Sequence, residues 1–139
     1  MDATAILQPV LAMALLTTAM AVWMYATRIP AMQKAGIEPN DARDHHALDA
    51  LPTSARWPAD NYNHLFEQPT LFYAVALAIA VLGHVDTVHV ACAWVFTIAR
   101  VAHSLVQATV NVIMVRFGIF AISWVALAVM VVREALNVF

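Results

Sequence analysis

The chain has 139 residues, 63% hydrophobic and 12% charged, with a mean hydropathy of +0.73 and a formal net charge of −2. Soluble domains are about half apolar and about a quarter charged, so this composition belongs to the membrane class. The charge balance gives no footprint for nucleic acid, and a single cysteine, Cys92, excludes an intramolecular disulfide framework.

The length suits one domain over residues 1–139, an all-α membrane protein built as a bundle of four transmembrane helices. Ala3 to Thr27 contains no charged residue, and 25 residues of helix reach about 37 Å, enough to cross a hydrocarbon core of about 30 Å. This run follows Met1-Asp2 with no basic region and is too long for a signal-peptide core, so it reads as a retained first span over about 5–27. Arg28 and Pro30 end or kink it. A polar loop follows over about 28–61, holding Gly36, Pro39, Pro52 and Pro58, with a short helix expected near Asp41 to Leu51. The second span covers about 62–85 and carries Glu67 and Pro69 near its start. After the turn 83–89 comes a third span over about 88–115. The fourth, over about 117–134, includes a charge-free run from Phe117 to Val132.

Lysine and arginine fix the expected orientation. Arg28, Lys34, Arg43 and Arg56 fall in the long loop and Arg116 between spans three and four, against Arg133 alone near the C-terminus. By the positive-inside rule the loop and Arg116 face the cytoplasm and both termini lie outside.

Inside this apolar frame, "ARVAHSLVQATVNVIMVRF" (99–117) carries Arg100, His103, Gln107 and Asn111. At 100° per residue these four fall within about 60° of one direction, a single polar stripe on an otherwise apolar helix. An ionisable group at mid-membrane costs about 2.5–3.5 kcal/mol on insertion scales, so such groups face a bundle interior, pair, or act. Glu67, with Asn63 and His64 one turn before it, is the expected partner of Arg100. The competing reading for Gln107, Asn111, Ser104 and Thr109 is interhelical glue. For Arg116 it is a boundary anchor.

Two other groups point to less. "DARDHHALD" (41–49) mixes histidines and aspartates without a standard metal-ligand spacing and reads as a solvated helix end. His84, Asp86 and His89 read as an interfacial turn, and Cys92 as a small hydrophobe.

"RVAH" (100–103) followed by Arg116, with "NHLFEQPTLFY" (63–73) and "QKAGIEPNDA" (33–42), resembles the MAPEG family of membrane-associated proteins in eicosanoid and glutathione metabolism. The similarity is to its microsomal glutathione transferase and microsomal prostaglandin E synthase members, and covers almost the whole chain. The resemblance implies a bacterial-type member, an integral multi-pass protein of the inner membrane, assembled as a homotrimer. It implies glutathione bound between subunits and a lipophilic small-molecule substrate arriving from membrane lipid. Carried over by motif, Asn63, His64, Glu67, Arg100, His103 and Gln107 hold the tripeptide, with no metal, and Arg116 stabilises its thiolate. Gln107 stands where the family pattern has tyrosine. Asp41 matches an acidic loop residue, and Pro30, near Arg28, stands where a first-span arginine is expected.

Two functions follow. One is a membrane glutathione transferase or peroxidase-like enzyme acting on lipophilic electrophiles. The other is a non-catalytic or glutathione-independent protein of the same fold that binds another anion or lipid.

Overall fold

A computed structural model describes residues 1–139, the side chain of His45 excepted. Six helices follow in order: α1 (Thr4–Ala35), α2 (His45–Asp49), α3 (Thr53–His64), α4 (Gln68–Leu82), α5 (Thr87–Thr109) and α6 (Ile113–Val138). A single 3-10 turn at Asp41–Arg43 precedes α2. Four helical stretches are long and apolar enough to cross a membrane: α1, the tandem α3–α4 over Thr53–Leu82, α5 and α6. The protein is therefore an all-α bundle with four membrane spans.

The first span does not end at Arg28 or Pro30. Its helix continues to Ala35, about 48 Å in all, longer than the hydrocarbon core. Proline at 30 removes one backbone donor, and the Thr27 hydroxyl binds the carbonyls of Trp23 and Met24 at 3.0 and 3.1 Å just before it. The helix stops at Gly36, whose φ of 68° is left-handed. Its N–H reaches Gln33 O and that of Ile37 reaches Met32 O.

The second span starts nine residues earlier than its hydropathy suggests, because α3 begins at Thr53 behind Pro52 and the long loop shrinks to 36–52. The sequence "TSARWPADNYNH" is polar and carries no span signal. The chain breaks at Leu65–Glu67 before resuming as α4. Pro69 lacks the N–H that would bond the Leu65 carbonyl, which accounts for the break.

The third span ends at Thr109 rather than near 115, and the fourth runs from Ile113 to Val138. Arg116 thus lies in the first turn of α6, not between spans. Asn111 has left the helix, so the expected four-residue stripe keeps only Arg100, His103 and Gln107.

Packing differs from that of a soluble protein in its apolar outer face, not in its core. Phe72 of α4 stacks on Phe96 of α5 at 4.3 Å, and Ile6, Met13, Leu127 and Met130 complete an apolar core. Arg100, His103, Ser104, Gln107, Asn61, Gln68 and Ser123 are buried beside it, while Leu11, Leu15, Ile98, Leu105, Val125 and Val132 face outward. In lipid this arrangement satisfies the outer face and confines polar groups to the interior. At the turn end, His84 binds Glu134 at 2.8 Å and Arg133 pairs with Asp86, fastening the α4–α5 turn to the end of α6.

Candidate anion-binding cleft

At the opposite, loop end the antiparallel neighbours α3 and α5 bring their histidines together. His64 and His103 lie 5.1 Å apart by ring centroids, and Phe120 of α6 stacks obliquely on both at 5.4 and 6.0 Å. With Ile113, Arg116 and Phe117 these residues line a cleft of about 290 Å³. The same antiparallel register sets Gln68, one turn beyond His64, against Arg100, one turn before His103.

Arg100 has no exposed surface, and its guanidinium sits 5.8 Å from the Phe120 ring centroid, behind the cleft wall. Its one hydrogen bond runs from Nη1 to Gln68 Oε1 at 3.4 Å, an oxygen that also accepts from Ser123 Oγ at 3.0 Å. The expected Glu67–Arg100 pair does not form. Glu67 sits in the α3–α4 break with its side chain 68% exposed, and it binds His64 Nδ1 at 2.9 Å instead. The break carries this carboxylate outward and leaves the neighbouring Gln68 pointing in.

Among the described residues neither Arg100 nor Arg116 forms an ion pair. Arg116 donates from Nη1 to Asn111 Oδ1 at 2.6 Å. Several buried polar atoms have no hydrogen-bond partner among the described residues: Nε and Nη2 of Arg100, Nδ1 of His103, Oε1 of Gln107, Oγ of Ser104 and both polar side-chain atoms of Asn61. A buried cation without a counter-charge is costly, and an anion beside it offsets part of that cost. Two guanidiniums and two imidazoles at one end of a low-dielectric bundle therefore favour an anionic ligand.

The residues expected to act together are only partly assembled. Arg116, His64 and His103 line the cleft, and Glu67 orients His64. Arg100 lies behind Phe120, and Gln107 is buried one turn further along α5. Asn63 faces elsewhere, into a second polar cleft of about 150 Å³ with Arg28, Asp49, Arg56 and Asp60. Asp41 lies on the exposed 3-10 turn. Sequence reasoning missed Gln68, Ser123, Phe120 and Asn61. Of these, only Gln68 had a signal, as a carboxamide next to the proline that breaks the span.

Fold and cleft together define a class: an integral, multi-pass membrane protein with a cationic, histidine-lined cleft at one end of a four-span bundle. The model of the MAPEG family matches residues 6–136, nearly the full length, and the chain belongs to that family. No curated protein and no solved structure compared with the chain gives a significant match.

Proposed function

We propose that the protein is a membrane-bound glutathione transferase or peroxidase-like enzyme acting on lipophilic electrophiles. In this reading it works as a homotrimer in a bacterial inner membrane, with glutathione between subunits at the loop end, which faces the cytoplasm. The family commonly uses glutathione. The observation that carries the reading is the half-buried guanidinium of Arg116 lining the cleft beside His64 and His103, with Arg100 buried behind them and, among the described residues, no carboxylate paired to either arginine.

Glutathione, when bound, supplies a thiol whose thiolate is the nucleophile. The residues of this chain would bind and polarise it. Arg116 at the cleft surface would stabilise negative charge on sulfur, His103 would donate to a carboxylate, and Glu67 would orient the His64 ring against the ligand. Arg100 would add its field through the wall. Gln107 and Asn63 enter through the family motif. The lipophilic co-substrate would reach the cleft along Ile113, Phe117 and Phe120, an apolar edge continuous with the lipid-facing side of α6.

Thiolate absorbance of glutathione bound to wild type and to Arg116→Ala tests the assignment. A higher thiol pKa in the variant is expected, and the same value in both would exclude the role. Gln107 in place of the family tyrosine favours a second reading, a glutathione-independent protein that binds another anion or lipid. Failure of wild type to bind glutathione at all would select it.

A further inference from the structure

We infer that Asn111 is the positioning residue for Arg116: its carboxamide holds the guanidinium at the cleft surface and, being neutral, leaves the positive charge free for the bound anion. The inference deepens the proposed function and rests on it.

Asn111 lies in the short break between α5 and α6, with a left-handed φ of 50°. Asparagine is among the few non-glycine residues that enter this region readily. Its backbone N–H closes the end of α5 on Val106 O at 2.7 Å. The chain reverses here, so the side chain turns back towards the first turn of α6, where Oδ1 accepts from Arg116 Nη1 at 2.6 Å. Arg116 Nε is buried and has no partner among the described residues, so there this bond is what fixes the guanidinium. An arginine stem is otherwise free to sample many rotamers, and a fixed guanidinium presents its charge at one place. A carboxylate at the same position would accept the same bond while cancelling that charge.

Two substitutions separate the roles. Asn111→Gly accepts the left-handed backbone but removes the tether. Asn111→Asp keeps the acceptor and adds a negative charge. Without ligand, phenylglyoxal modification of Arg116, followed by peptide mapping, is expected to be severalfold faster in Asn111→Gly than in wild type. With glutathione bound, the thiolate fraction at a fixed pH below the titration midpoint is expected to fall about three- to tenfold in both variants.

Equal modification rates and an unchanged thiolate midpoint would overturn the inference. So would a lower melting temperature with both readouts unchanged, which would leave Asn111 as a helix terminator only. Absence of thiolate absorbance in wild type would overturn the glutathione reading instead. The modification rates would then decide alone whether Asn111 restrains Arg116.

Discussion

Arg100 is held inside the bundle by a carboxamide rather than a carboxylate, which decides what the cleft can bind. A Glu67–Arg100 ion pair would have neutralised the site; the outward turn of Glu67 and the inward turn of Gln68 leave it cationic. Gln68→Glu should therefore supply the missing counter-charge. The expected outcome is a glutathione dissociation constant raised about tenfold or more in detergent-solubilised protein, with a melting temperature no lower than that of wild type. Unchanged affinity would separate Arg100 from ligand binding. The complementary change, Arg100→Met, removes an uncompensated buried cation. It should leave stability equal or higher while weakening the anion site, as a paired melting and binding measurement would show.

At this scale the sequence announces Arg100 and His103 clearly, since charge in an apolar run is a contradiction that needs a cause. It does not announce their surroundings. Which of Glu67 and Gln68 faces inward depends on one broken turn, and nothing in the residue types places Phe120 between Arg100 and the cleft.

The four helices that cross the bundle are legible from hydropathy, but their ends are set by local chemistry that hydropathy does not see. The first half of the second span is polar, so α3 is hidden until the helix is seen to start behind Pro52. The α5–α6 break contains neither glycine nor proline. It is written in Asn111 alone, flanked by valines that read as more helix. Gly36 and Gly83 are visible stop signals because their φ values of 68° and 74° are left-handed. Among the described residues, nothing beyond its own chain neighbours lies within 4 Å of a Cβ placed at Gly36. Gly36→Ala should thus cost only the backbone strain, about 1–2 kcal/mol, seen as a lower melting temperature with unchanged ligand affinity.

The turn end offers a pH test of the same kind. The backbone N–H of His89, with help from the Arg133 guanidinium, holds the Asp86 carboxyl below its ordinary value of 3.8. A carboxyl depressed on folding stabilises the native state above its unfolded value and loses that contribution as pH falls through the folded one. Melting temperature should therefore decline below about pH 4. Asp86→Asn, which can still cap α5, should flatten that part of the profile. A variant profile parallel to wild type would remove Asp86 from the acid transition.

For the molecule as a whole, the outward face of the spans is largely apolar, and Arg116, His64 and His103 converge at the loop end. The proposed trimer predicts a native mass of three 15.2 kDa chains in mild detergent. A monomer that still binds glutathione would show that the cleft is complete within one chain. Whether this cleft binds glutathione is read from thermal unfolding of the purified, detergent-solubilised protein over a glutathione titration. A ligand that binds only the folded state raises its stability with the logarithm of concentration, by about 2.7 kcal/mol at a hundred times the dissociation constant. The melting temperature should climb with glutathione and climb much less in Arg116→Ala. No shift in wild type at millimolar glutathione would contradict glutathione binding at this cleft.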